Sequence, residues 1–121
     1  MRFTSLAVLS ILSAVLGTPV QVKRQEVILN GGVVYCKEAG FQGVCVRASR
    51  VNNSCNNFDS AFDSQVSSFR PEPQNSISCL LWSDPNCQGT NPGGWISGTG
   101  INDLDAFGFG NVASSFQCKN P

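Results

Sequence analysis

Apolar residues along this chain fall in short bursts cut apart by Gly, Asn, Ser and Pro, and they rarely recur at helical spacing. Residues 33–37 form the first burst, opened by Asn30-Gly31-Gly32. A turn-rich stretch at 38–43 leads into 44–47, and a loop at 52–54 leads into a short segment at 55–58. Residues 66–70 follow and are stopped by Pro71-Glu72-Pro73. The second half runs in the same order: 77–82, a turn at 83–86, a returning segment at 93–96, a short turn or strand at 102–107, and a closing strand at 112–118. Alternation in that last strand puts Val112, Ser114, Phe116 and Cys118 on one face. Eight short strands at this spacing predict an all-β sandwich of two Greek keys.

The repetition extends to residue identities. Residues 62–69 match 109–116 at a separation of 47, sharing Phe at the start and Ser-Ser-Phe at the end. Upstream, Cys36, Phe41 and Gly43 match Trp82, Cys87 and Gly89 at a separation of 46. Two matches in the same order, one residue out of phase, identify an internal duplication.

Composition places this duplicated unit. The 121 residues carry eight Lys+Arg and eight Asp+Glu, no His and six Cys. Without histidine, Ser-His-Asp and Cys-His catalysis, His-ligated zinc and imidazole pH switches are excluded. Arg2 followed by an apolar run from Leu6 to Leu16 reads as a signal peptide over residues 1–17, too short to span a bilayer. Residues 18–24 read as a pro-segment ending in the dibasic pair Lys23-Arg24, similar to sites cut by Kex2-type proteases of the fungal secretory pathway. Cleavage there leaves a single domain at 25–121, with five cations against eight acids. That mildly acidic balance disfavours nucleic acid and anionic membranes.

The six cysteines, Cys36, Cys45, Cys55, Cys79, Cys87 and Cys118, all lie in that domain. An even number in a secreted chain this short implies three disulfides, and the absence of any C-x-x-C argues against zinc and redox catalysis. Antiparallel neighbours at the ends of the second Greek key pair Cys79 with Cys118. Closing the following loop pairs Cys45 with Cys55, which leaves Cys36 for Cys87. Asn52-Asn53-Ser54 is a glycosylation sequon in an expected loop. Asp103 and Asp105 are expected to be solvated loop acids rather than a glycosidase pair. Trp95 is expected in the core, with an exposed binding anchor as the alternative.

The duplicated residues resemble the βγ-crystallin family, in the single-domain form of small secreted microbial proteins. Its Greek-key motif has an aromatic residue, a second aromatic five positions on, and Gly two further. Trp82, Cys87 and Gly89 fill it with Cys at the second place. Cys36, Phe41 and Gly43 fill it with Cys at the first, beside Tyr35. The resemblance implies that Ser68 and Ser115 hydrogen-bond to the folded hairpins. It also implies a calcium motif of two Asn/Asp, two variable residues, Ser/Thr and Ser. Here that motif is degenerate, with Asp63, Ser67, Asn111 and Ser114 as candidate ligands and weak calcium binding or a relic site expected. Otherwise no cofactor is expected.

Together these features point to a secreted, monomeric, non-enzymatic protein that binds an extracellular protein or cell surface. An effector or an antimicrobial, killer-toxin-like protein is the leading expectation. Members of the resembling family also suggest a metalloproteinase inhibitor, acting through residues 88–94 or 70–76, or a calcium-stabilised extracellular structural protein.

Overall fold

The computed structural model describes residues 27–91 and 94–121. The expected leader, the pro-segment with Lys23 and Arg24, and Gly93 of the returning segment lie outside the described residues. Six strands form: β1 Gly32–Glu38, β2 Gln42–Ala48, β3 Cys55–Asn57, β4 Ser68–Glu72, β5 Ser78–Trp82 and β6 Ser115–Lys119. Short 3-10 turns cover Ala39–Phe41 and Leu104–Phe107. No helix among the described residues is long and apolar enough to cross a membrane.

The strands make two antiparallel sheets, ordered β2-β1-β4 and β3-β6-β5. Each gains a further single-residue bridge, Ile101 on β4 at Phe69 and Ile96 on β5 at Cys79. Ile96 bridges within the returning segment expected at 93–96, while residues 102–107, expected as a short turn or strand, hold the turn at Leu104–Phe107 with the bridge just before it, so eight expected strands become six strands and two bridged segments. The halves exchange their third members. β3, from the first half, lies beside β6, while Ile101, from the second half, lies beside β4. Cys55 and Ile101 are 46 positions apart, the period of the repeat.

Pro71 does not stop β4 as expected, because of where its missing N–H would point. Phe69 directs its N–H and C=O to Ile101, at 3.0 and 2.9 Å, away from β1. Pro71 shares that orientation two residues on, so the ladder to β1 loses no donor. The closing strand starts at Ser115 rather than Val112, because residues 110–112 are taken up by a turn.

Alternation fills the space between the sheets. Val33, Val66, Phe69, Ile77, Leu81, Leu104 and Phe116 are buried. Tyr35 meets Phe58 and Phe62 edge-on at 4.8 and 5.2 Å between ring centroids, and Phe69 meets Phe116 at 5.4 Å. Each such pair adds about 0.5–1.5 kcal/mol beyond the area it buries. Trp95 is not part of this core. Ile96 takes the buried place beside Cys79, which turns Trp95 outward, 43% exposed, with the Lys119 ammonium 4.3 Å from its ring centroid.

Two disulfides depart from expectation. The bridges are Cys36–Cys45, Cys55–Cys87 and Cys79–Cys118. Cys79 and Cys118 face each other across β5 and β6, as expected. A Cys45–Cys55 bridge would require the chain after β2 to fold back on its own sheet. Instead β3 crosses to the other sheet and carries Cys55 to the second hairpin and Cys87. Cys36 and Cys45 are left as direct register partners on β1 and β2, with Cα atoms 4.0 Å apart.

Candidate functional site

The duplicated hairpins are near copies in backbone as well as sequence. Gly40, Phe41 and Gly43 adopt φ of 71°, 58° and 77°, and their counterparts Asn86, Cys87 and Gly89 adopt 64°, 56° and 91°. At the third place both halves carry glycine, for which left-handed φ carries no Cβ strain. At Gly89 space demands it as well, since a Cβ would run into Ser83 Oγ.

One serine pins each hairpin to its sheet. Ser68 Oγ donates to the Glu38 carbonyl at 2.8 Å and accepts from the Phe41 N–H at 3.2 Å. Ser115 Oγ donates to the Asp84 carbonyl at 2.6 Å and accepts from the Cys87 N–H at 2.9 Å. Both serines are fully buried. Trp82 ends β5 half-buried, and its Nε1 is enclosed without a hydrogen-bond partner among the described residues.

The four candidate calcium ligands gather where the two loops preceding these serines meet. Ser114 Oγ donates to Asp63 Oδ1 at 2.5 Å, and Ser67 Oγ donates to Asn111 Oδ1 at 3.4 Å. Each pair joins one half of the duplication to the other. The backbone repeats the relation, with Ser64 N–H donating to Ala113 O at 2.9 Å and Asn111 N–H to Val66 O at 3.1 Å. Ser64 and Asn111 hold matching left-handed φ of 58° and 60°. As two pairs, a carboxylate with a hydroxyl and an amide with a hydroxyl, the set is made of hard oxygens that suit calcium by kind. It supplies a single formal charge where calcium takes six to eight oxygens and gains affinity with ligand charge. Each hydroxyl already donates to the oxygen beside it, so an ion would have to displace those contacts. The residues fit a weak site.

The remaining candidates serve the fold locally. Asn52 is half-buried, bridged to Ile28, and its Oδ1 accepts from the Ser54 N–H at 2.9 Å. The loop carrying the sequon is therefore tied down rather than free. Asp103 Oδ1 accepts from the Asp105 N–H at 3.1 Å and caps the turn at Leu104–Phe107. Asp105 packs against Gly110, where a Cβ would collide with its carboxylate. The two acids thus sit on a turn, and neither is held as a catalytic pair.

Strand-by-strand reading of the sequence missed a shallow depression of about 460 Å³, lined by Gly40, Phe41, Ile101, Asn102, Asp103 and Phe107 among others. Its walls are about sixty residues apart in the chain and meet only through the strand exchange. A signal was nonetheless available, because the 46-residue period sets Phe41 and Ile101 opposite Cys87 and Cys55.

No protein-family model matches the sequence, and no curated protein matches it. Solved structures do. A βγ-crystallin from an archaeon is 16% identical over 72% of this chain and 95% of its own, with a TM-score of 0.56. The βγ-crystallin from Ciona intestinalis is 14% identical, over 74% of this chain and all of its own, at 0.57. A βγ-crystallin domain of Abundant Perithecial Protein from Neurospora crassa, solved in a calcium-bound form, is 14% identical over 75% and 90%, also at 0.57. The chain therefore has the βγ-crystallin fold.

Proposed function

We propose that the chain is a secreted, non-enzymatic binding protein of the effector or antimicrobial type, held in the βγ-crystallin fold by disulfides rather than by calcium. The observation that carries this reading is the placement of the three bridges. Cys36–Cys45 ties the first hairpin's strands, Cys55–Cys87 ties the second hairpin to β3, and Cys79–Cys118 ties β5 to β6. Disulfides of this density belong to oxidising, extracellular settings.

Magnitudes favour the bridges over calcium. Chain-entropy reasoning gives about 2.6 kcal/mol for a loop of 9 residues and about 3.7–3.9 kcal/mol for loops of 32 and 39. A site of roughly millimolar affinity, at tenfold excess calcium, adds only about 1.4 kcal/mol. Calcium stabilisation remains the second reading, favoured by the Asp63–Ser114 contact and by the calcium-bound Neurospora domain.

Non-catalytic action is supported by the missing histidine and by the structural tasks of Asp103 and Asp105. The test applies purified, disulfide-intact protein to a panel of microbial and host cells, scoring surface binding and growth. Saturable binding with growth inhibition or a cell response, abolished by reduction, is expected. Absence of binding to every cell type, or inhibition of a metalloproteinase at micromolar concentration instead, would overturn the proposal.

A further inference from the structure

The depression beside the first hairpin lies where the duplicate half carries a cross-link. At the equivalent place in the second half, Cys87 is bonded to Cys55, and Asn86 and Asn57 close over it, with Asn57 Oδ1 accepting from Asn86 N–H at 2.8 Å and Asn57 Nδ2 donating to Asn86 Oδ1 at 3.1 Å. At the first hairpin those positions are Phe41 and Ile101, which do not cross-link, and the Gly40 N–H reaches across to the Asn102 carbonyl at 2.6 Å. The first hairpin thus lacks the covalent tie that its duplicate carries at the same place.

Its lining is specific in chemistry. Phe107 is 50% exposed, unusual for so large an apolar ring, and Phe41 presents a second aromatic wall. The Arg70 guanidinium lies 4.4 Å from the Phe41 ring centroid and is paired with Glu72 at 3.2 Å. Asp103, Asn102 and Thr99, all exposed and each with a polar side chain, complete the lining. Asp103 uses one oxygen to cap its turn, and its other oxygen has no hydrogen-bond partner among the described residues. A wholly apolar ligand would strip water from that carboxylate with nothing in return. An anion would meet it head-on, since Arg70 lies outside the lining and is already paired with Glu72. The ligand must offer an apolar face and several hydroxyl donors together, which is the chemistry of a pyranose ring. The volume lies within the ~300–1,000 Å³ of small-ligand clefts.

We propose that this depression is a pyranose-binding site, in which Phe107 and Phe41 take the C–H face of the sugar and Asp103, Asn102 and Thr99 accept its hydroxyls. None of the four calcium-loop residues lines it. The proposal borrows only the extracellular setting from the function proposed above.

The test titrates isotope-labelled, disulfide-intact protein with methyl glucopyranoside, methyl mannopyranoside, methyl galactopyranoside and N-acetylglucosamine, following backbone amides by NMR. At least one sugar should shift Gly40, Phe41, Thr99, Asn102 and Phe107 while leaving the loops at 63–67 and 111–114 unmoved. Phe107→Ala and Asp103→Asn should each weaken binding at least tenfold, the second while keeping the capping oxygen. Phe41→Cys with Ile101→Cys, placed to copy the Cys55–Cys87 bridge, should abolish binding in a protein that remains folded by its amide spectrum. A tetrasaccharide of the binding sugar that binds at least tenfold tighter identifies a polysaccharide as the source, and equal affinity identifies the free sugar. Absence of shifts with all four sugars, or shifts unchanged in Phe107→Ala and Asp103→Asn, overturns the proposal. Because this titration uses no cells, its failure is distinct from failure of the cell-binding test.

Discussion

Replacing Ser115 with Ala removes a buried side chain that, beside the Cys55–Cys87 bridge, holds the second hairpin against its sheet. Its hydroxyl makes two bonds, to the Asp84 carbonyl at 2.6 Å and from the Cys87 N–H at 2.9 Å, and it is fully buried. Asp84 is exposed, so its carbonyl can recover water at little cost. The Cys87 N–H is only partly exposed and loses its partner. Leaving that donor stranded gives a destabilisation of about 1–3 kcal/mol. For a domain near 100 residues this lowers the melting temperature by on the order of 10 °C. Ser68→Ala should cost a similar amount, since Ser68 makes the matching pair of bonds to Glu38 and Phe41. Ser67→Ala is the control, because its single 3.4 Å contact to Asn111 should be worth less than about 0.5 kcal/mol. Urea denaturation of the three variants with disulfides intact reads the differences. If Ser115→Ala and Ser68→Ala cost no more than Ser67→Ala, the serine-pinned hairpin is refuted.

Non-reducing digestion and mass spectrometry should return peptides linked Cys36–Cys45, Cys55–Cys87 and Cys79–Cys118, whereas Cys45–Cys55 or Cys36–Cys87 linkage would contradict the strand exchange. Phe116→Ala, which removes a ring packed against Phe58 and Phe69, should destabilise by about 3–5 kcal/mol, measured by urea denaturation. Tyr35, the only tyrosine, has its hydroxyl pushed above the usual value of 10.0 by burial and then by the Asp59 carboxylate. Its contribution is complete below the unfolded-state pKa and lost as pH rises through the folded one, so stability should fall above about pH 10. Phenolate absorbance reads this residue alone, and a folded-state titration at or below the free value would refute the burial argument.

Much of this architecture is legible in the chain because the duplication repeats local chemistry. Gly43 and Gly89 mark the left-handed hairpin positions, Ser-Ser-Phe marks the two strands that close each half, and both show as exact sequence matches. What stays hidden depends on which elements exchange sheets. Nothing near Cys45 records that β3 leaves for the other sheet, so pairing by loop closure chooses Cys55 wrongly. Pro71 looks like a strand breaker until the outward direction of its backbone is known. Trp95 looks like core because its size is visible, whereas the claim of Ile96 on the buried place is not. The depression at Phe41 and Phe107 likewise needs the crossing of Ile101 to β4 before its two walls meet.

The proposed function depends most heavily on disulfides, rather than calcium, stabilising the fold. Thermal denaturation of the same protein in excess calcium, in chelator, and in chelator with a dithiol reductant tests this directly. The melting temperature should differ by no more than about 10 °C between calcium and chelator, following the ~1.4 kcal/mol ceiling of a weak site. It should fall much further, or the transition vanish, once the bridges are reduced. A protein that unfolds in chelator with its disulfides intact, or that keeps its melting temperature after full reduction, would contradict the account.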